Sequence, residues 1–208
     1  MLITLEGLDC SGKSTQARIL VDRLTGSKGS PKVLFIREPG GTEISERIRS
    51  ILLDRERIEL SPATELLLFS ASRAQLTTQV IRPALERGEM VVCDRYYDST
   101  TAYQGFGRGM DLRAIGEINR LATGGISPDL TLFLDVPTEE LARRRDTTRK
   151  VRDRMEESGN EFYERVLRGY KQIAEREPAR YCIIDGTRPL EEVSDLIWQE
   201  VDKRILKK

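Results

Sequence analysis

Met1-Leu2-Ile3-Thr4-Leu5-Glu6-Gly7-Leu8-Asp9-Cys10-Ser11-Gly12-Lys13-Ser14-Thr15 opens the chain. Its first six residues are a short apolar run with β-strand character. The next nine fit G-x-x-x-x-G-K-[ST], a phosphate-binding loop that leads into a helix. The chemistry requires these residue types. Gly7 and Gly12 permit backbone conformations that a Cβ obstructs, so that successive N–H groups of Gly7, Leu8, Asp9, Cys10, Ser11, Gly12, Lys13, Ser14 and Thr15 can turn around a phosphate. Lys13 can reach β- and γ-phosphates as a point charge, and the Ser14 hydroxyl can ligate Mg²⁺. The helix N-terminus adds partial positive charge. Ala17, Leu20, Val21 and Leu24 follow at i, i+3, i+4 and i+7, the spacing of an amphipathic helix. A strand before the loop and a helix after it distinguish this match from a chance glycine-rich turn and predict a nucleoside-triphosphate site. The motif does not separate a switch GTPase, a motor ATPase and a small-molecule kinase.

Bulk composition narrows the choice. At 208 residues the chain suits one α/β domain spanning 1–208. Formal net charge is zero although a third of the residues are charged, so no global field draws it to nucleic acid or an anionic membrane. No apolar run approaches the roughly 20 residues that span a bilayer. The N-terminus reads as a strand and not a signal peptide, so the expected location is cytoplasmic. Cys10, Cys93 and Cys182 lack metal-ligand spacing and are expected to be reduced thiols. The chain has no histidine, which excludes Ser-His-Asp and Cys-His catalysis and histidine metal sites. Phosphoryl transfer survives this exclusion because it relies on positioning and electrostatics more than on a strong base.

Strand and helix patterns alternate to the end of the chain. Residues 32–37 hold a continuous apolar run, as expected of a strand covered on both faces. Ile44, Ile48, Ile51 and Leu52 mark a second helix. Ser61-Pro62 starts a third, expected to reach Gln79 and to be followed by a separate helix ending at Gly88. Met90 to Cys93 is a third strand, and Asp111 caps a helix stopped by Gly124-Gly125. Leu130 to Val136 is a fourth strand, and Thr138 is expected to cap the helix after it. Phe162, Val166, Tyr170 and Ile173 share one helical face, Tyr181 to Ile184 is a fifth strand, and Val193, Leu196, Ile197 and Val201 line a last helix. This order predicts an α/β fold with a five-stranded parallel sheet, helices on both faces and ligands at the carboxyl ends of the strands.

Further constellations fall at those ends. Arg37-Glu38-Pro39-Gly40-Gly41-Thr42 follows the second strand, where an ordinary strand-to-helix turn would also fit and the isomer of the Glu38-Pro39 bond is open. Asp94-Arg95-Tyr96 follows the third. A carboxylate there can hold a Mg²⁺ water, and an adjacent arginine can bridge phosphates. Phe69 and Arg73 lie four apart on one predicted helix, a ring to stack on a base and a guanidinium to bond its edge, although core packing alone would also explain Phe69. Residues 143–154 carry Arg143, Arg144, Arg145, Arg149, Lys150, Arg152 and Arg154 against Asp146 and Asp153. In a neutral chain this stretch, about 143–156, suits a mobile lid over polyphosphate; a solvated helix face is the plainer alternative. RNA binding is disfavoured because no aromatic residues are interleaved.

Together these blocks, with Ser99-Thr100-Thr101-Ala102-Tyr103-Gln104-Gly105, Arg152-Asp153-Arg154-Met155-Glu156 and Phe162-Tyr163, resemble the thymidylate (dTMP) kinases of the nucleoside monophosphate kinase group. The resemblance spans nearly the whole chain, in order. It implies a P-loop kinase, often a homodimer, that makes dTDP from dTMP with ATP and Mg²⁺, without nucleic-acid or membrane partners. By position it implies that Phe69 stacks on thymine, Arg73 bonds its O4, Thr100 faces N3 and Tyr103 crowds the sugar 2′ position. Arg95 holds the acceptor phosphate, Gln104 supports the base and sugar side, and Glu38 and Pro39 belong to the substrate wall. Lys13, Arg95 and Asp9 form the catalytic centre, and Ser14, Asp94 and Asp9 attend the metal. Some family members carry arginine or glycine where this chain has Cys10. Without that arginine, the transition-state cation is expected from Arg149, Arg152 or Arg154. A GTP-binding switch would need N-K-x-D, and neither Asn119 nor Asn160 has the required followers. A kinase of another monophosphate, or a pyrimidine kinase of broad range, stays open at this point.

Overall fold

The structure, a computed structural model, describes residues 1–26, 32–54, 60–148 and 159–207. Five parallel strands form one sheet: β1 (Leu2–Glu6), β2 (Val33–Arg37), β3 (Met90–Asp94), β4 (Leu130–Asp135) and β5 (Tyr181–Asp185), in the order β2-β3-β1-β4-β5. Every residue of β1 and β3 is buried, which explains why the central strands read as unbroken apolar runs. On one face, Leu130, Leu132 and Leu134 pack with α1 (Lys13–Thr25) and α9 (Leu190–Val201) through Leu20, Leu24, Val193 and Ile197. On the other, Phe133 packs with α8 (Asn160–Arg176) through Phe162, Val166 and Tyr170. The two-residue alternation of β4 thus serves two apolar layers.

The remaining helices are α2 (Glu43–Leu53), α3 (Pro62–Leu76), α4 (Arg82–Glu86), α5 (Tyr97–Thr100), α6 (Leu112–Thr123) and α7 (Thr138–Thr148). Ser61 caps α3 by accepting from the Thr64 N–H, with Pro62 in the first turn, and Asp111 caps α6 by accepting from the Arg113 N–H. Two expectations need correction. The helix from Pro62 does not stop near Gln79: α3 continues through a π-helical turn, Thr77–Ile81, directly into α4. Pro83 has no N–H and its ring crowds the carbonyl four residues back, and the wider turn, in which the Arg82 N–H bonds the Thr77 carbonyl, absorbs it. Thr138 is the first residue of α7 and not its cap, since the Leu141 N–H bonds the Pro137 carbonyl. A second π-helical stretch, Thr101–Gly107, follows α5.

The register places the site. Leu5 pairs with Asp94, and Arg37 pairs with Asp94 from the other side. The Arg95 N–H bonds the Leu5 carbonyl at 3.0 Å, and the Glu38 N–H bonds the Asp94 carbonyl at 3.0 Å. The carboxyl ends of β1, β2 and β3, and the loops that leave them, are therefore side by side.

Candidate active site

The loop after β1 has the backbone its glycines allow. Gly7 has φ of 147°, and a Cβ there would lie 2.9 Å from Ser11 Oγ and 3.0 Å from the Leu134 carbonyl oxygen. Gly12 caps α1 with φ of 94°. Cys10 also has positive φ, 67°, a conformation that glycine adopts without the steric cost of a Cβ. Lys13 is buried at 6% exposure, its amine bonded to the Leu8 carbonyl and to Asp9 Oδ1, each at 3.3 Å.

Asp9 is the junction of the site. Its Oδ1 also accepts from Arg95 Nη2 at 2.9 Å. Burial pushes the Asp9 carboxyl up, but Lys13 and Arg95 together outweigh it and hold the group well below the usual carboxylate range. Arg95 is a bulky residue in the left-handed region, φ 72°, a conformation that persists only when its surroundings enforce it. Its Nη1 bonds Ser99 Oγ at 3.0 Å and the Tyr170 hydroxyl at 3.3 Å, and its Nη2 bonds the Tyr103 hydroxyl at 3.2 Å.

The residues expected to attend a metal divide. The Ser14 hydroxyl donates to Asp94 Oδ2, and Asp94 Oδ1 is buried without a protein partner among the described residues. An oxygen-only set with an unsatisfied carboxylate oxygen fits Mg²⁺, which keeps several waters and takes one or two carboxylates beside substrate phosphates. Asp9 is engaged by two cations, which leaves its Oδ2 for that role. Among the described residues no group of three or more His, Cys, Asp or Glu forms a closed metal cage.

Arg73 is 2% exposed and spends three of its five N–H groups on protein: Nε on Glu38 Oε2 at 2.7 Å, Nη1 on Thr100 Oγ1 at 2.9 Å and Nη2 on the Tyr96 carbonyl at 3.1 Å. Two donors remain. The Glu38-Pro39 bond is cis. Burial pushes the Glu38 carboxyl above its ordinary value, with Arg73 opposing. Gln104, in the second π stretch, donates to buried Glu65 at 2.8 Å.

A cavity of about 390 Å³ gathers these groups. Its wall contains Asp9, Lys13, Ser14 and Asp94 together with all eight residues expected on the substrate side: Glu38, Pro39, Phe69, Arg73, Arg95, Thr100, Tyr103 and Gln104. Phe69 is half-buried and lines this space. Arg18, Arg37, Arg49, Leu53 and Ser99 line it too and were not singled out by the sequence. Arg37 and Ser99 stand inside quoted blocks, whereas nothing local marks Arg49, whose Nη1 donates to the Pro39 carbonyl at 2.9 Å.

Only the start of the basic stretch falls within the described residues. Arg143 and Arg144 lie on α7 and pair with Glu140, at 2.8 Å each, which holds that carboxyl down at about 2. Glu140 was left out of the charge reading of the stretch. Arg144 Nη2 also donates to the Gly186 carbonyl at 2.8 Å, joining α7 to the loop after β5. A second cavity, of about 430 Å³, lies between Glu140, Arg143 and Arg144 on α7 and Thr187, Arg188 and Pro189 after β5. Arg149, Lys150, Arg152 and Arg154 lie outside the described residues.

Comparison with known proteins agrees with this geometry. The family model described as thymidylate kinase matches residues 5–197. The thymidylate kinase of Desulforudis audaxviator is 45% identical over 201 residues, covering 97% of this chain and 90% of that protein. That of Chlorobaculum parvum is 47% identical over 214 residues, covering 99% and 94%. The crystal structure of thymidylate kinase from Ehrlichia chaffeensis superposes with a TM-score of 0.78 at 34% identity, covering 97% of this chain and 98% of that one.

Proposed function

This chain belongs to the thymidylate kinase family, a phosphotransferase that converts dTMP to dTDP in nucleotide biosynthesis, and from that premise we propose how its own residues divide the reaction. The observation that carries the proposal is the convergence of Lys13 and Arg95 on one oxygen of Asp9. Lys13 belongs to the donor side, at the head of α1, and Arg95 to the acceptor side, at the end of β3. A single carboxylate that holds both brings the two phosphate-binding cations within reach of one transferring group.

The donor is ATP, with Mg²⁺. The N–H groups of residues 7–15 cradle its phosphates, and Lys13 follows the migrating phosphoryl as a point charge. Ser14 and Asp94 would hold the metal, with Asp9 beside them, and Mg²⁺ bound there would neutralise charge on the donor's phosphates. Arg95 holds the phosphate of dTMP. Phe69 stacks on thymine, the spare donors of Arg73 meet O4, and Thr100, whose oxygen accepts one bond from Arg73 and retains a lone pair, meets N3–H. Tyr103, with its hydroxyl tied to Arg95, closes the sugar side against a 2′-hydroxyl. Pro39, Glu38 and Gln104 complete that wall. Coupled ADP release with a panel of nucleoside monophosphates tests the reading: dTMP is expected to give the highest kcat/KM. Hydrolysis that ignores the acceptor, or a preference for a purine monophosphate, overturns it.

The active form is proposed to be a cytoplasmic homodimer. Leu67 on α3 and Leu121 on α6 are 57% and 82% exposed, and these two helices pack on each other, which offers apolar surface to a second copy. Sedimentation velocity at micromolar concentration decides this, and a monomer there removes the proposal. Among the described residues no helix is long and apolar enough to cross a membrane.

A further inference from the structure

Glu6, the last residue of β1, lies one position before the phosphate-binding loop and is fully buried at 0% exposure. Nothing in the reaction above uses it. Its two oxygens nevertheless grip the surroundings of Arg95 from both sides. Oε1 accepts from the Tyr96 N–H at 2.7 Å, the amide that directly follows Arg95. Oε2 accepts from Ser99 Oγ at 2.6 Å and from the Tyr170 hydroxyl at 2.9 Å. Those two hydroxyl oxygens are the ones that receive Arg95 Nη1.

Proton direction follows from the chemistry of the ends. A guanidinium only donates and an ionised carboxylate only accepts. With Glu6 ionised, as at pH 8, Ser99 and Tyr170 each give their one proton to Glu6 Oε2 and turn lone pairs to Arg95, although their two oxygens also lie 2.9 Å apart. The other grip acts on the backbone. Arg95 is held at φ 72°, which is strained for a side chain of its size, and the Glu6 bond to the Tyr96 N–H pins the turn that carries it. We propose that Glu6 is a positioning residue for Arg95, one oxygen fixing the strained turn and the other orienting Ser99 and Tyr170 to receive the guanidinium. The inference rests on the reading that Arg95 holds the acceptor phosphate.

The groups facing Glu6 are Tyr96 and Ser99, Tyr170 from α8, Asp98 from α5, and Arg95 itself. Asp98 is held bidentately by Arg180, at 2.7 and 2.8 Å, which leaves Glu6 as the acceptor for this hydroxyl pair. A competing effect must be weighed. Glu6 is also a negative charge near Arg95, so neutralising it removes some competition for a phosphate. Orientation and charge therefore predict opposite signs for the same substitution.

The experiment compares dTMP with thymidine, which has the same base and sugar but no phosphate, by calorimetric titration at pH 8. The ratio of the two affinities reports the phosphate contact alone. Arg95→Ala is the control and is expected to collapse the ratio by tenfold or more. Glu6→Gln keeps an oxygen for the Tyr96 N–H but puts a donor where the hydroxyls need an acceptor. It is expected to lower dTMP affinity about tenfold, the scale of a hydrogen bond to a charged group, with thymidine affinity unchanged. Tyr170→Phe keeps the charge of Glu6 and removes one arm, and is expected to lower the ratio severalfold even if Glu6→Gln does not fold. An unchanged or raised ratio in Glu6→Gln, an equal loss of both ligands, or an unchanged ratio in Tyr170→Phe overturns the inference. A ratio unmoved in Arg95→Ala overturns the reading beneath it as well.

Discussion

Arg73 Nε donates to Glu38 Oε2 at 2.7 Å, with the two side chains 2% and 4% exposed. This pair ties α3 to the loop after β2 and aims a guanidinium into the cavity. Burial costs both charges, and the pair persists because Thr100 and the Tyr96 carbonyl take further N–H groups of Arg73. Removing one partner strands the other. Arg73→Ala is therefore expected to destabilise the fold by about 3–5 kcal/mol and to cost about 1–3 kcal/mol in dTMP recognition. Adding Glu38→Gln should recover most of the stability and none of the recognition. Urea unfolding and dTMP titration of Arg73→Ala and of the double variant check this; recognition that returns with stability would show that Arg73 does not read the base.

Lys13→Ala is expected to abolish phosphoryl transfer with little loss of stability. The substitution removes a cation whose protein bonds are to Asp9 and the Leu8 carbonyl, and it leaves the glycine-shaped backbone in place. Near-normal turnover in a variant with an unchanged melting temperature would sink the phosphate-loop assignment.

Tyr103→Ala is expected to relax discrimination against the ribo form of the substrate more than it weakens deoxy binding. The ring stands edge-on to Phe162 and Tyr170, so its place in the cavity wall is held by packing. The ratio of kcat/KM for the deoxy and ribo monophosphates is the measurement. An unchanged ratio would put the sugar elsewhere.

At least one of Arg149→Ala, Arg152→Ala and Arg154→Ala is expected to lower single-turnover phosphoryl transfer by about 10²-fold or more, with a smaller effect on dTMP affinity. The motive is chemical. Cys10 cannot donate the charge that an arginine in the loop would, so the compensation is proposed to come from Arg149, Arg152 or Arg154. Rapid-quench rates settle the matter, and three variants with normal rates would reduce the stretch to solvated surface.

Burial, then repulsion from Asp98, raises the Glu6 carboxyl from 4.5 to about 7. The folded chain then holds this proton where the unfolded chain has lost it. The stabilisation from Glu6 is full below about pH 4.5 and disappears as pH rises through 7. Glu6→Gln has no titrating proton there, so the stability difference between wild type and variant should move against the wild type as pH rises from 4.5 to 8. Urea unfolding across that range measures it, and a difference independent of pH would contradict the raised value.

The parts legible in the sequence were those written in local chemistry. A strand, a glycine-spaced loop and a periodic helix are consecutive residues obeying backbone geometry, so residues 2–25 could be read directly. The same holds for the caps Ser61 and Asp111. The blocks at Glu38, Asp94 and Tyr103 were visible as strings, and resemblance lent them roles. The π turns at Thr77–Ile81 and Thr101–Gly107 were not read, because a change from i+4 to i+5 bonding leaves little trace in apolar spacing.

What the strings did not contain was their meeting. Glu38 reaches Arg73 across 35 residues, Arg95 reaches Asp9 across 86, and Tyr170 reaches Glu6 across 164. These contacts exist because the strand order sets β3 between β2 and β1 and the register aligns Arg37, Asp94 and Leu5. In the sequence Glu6 is no more than the last residue of the opening strand-like run. It became a clamp on Arg95 only when α8 laid Tyr170 against the sheet, since a buried carboxylate takes its role from the donors that folding brings to it.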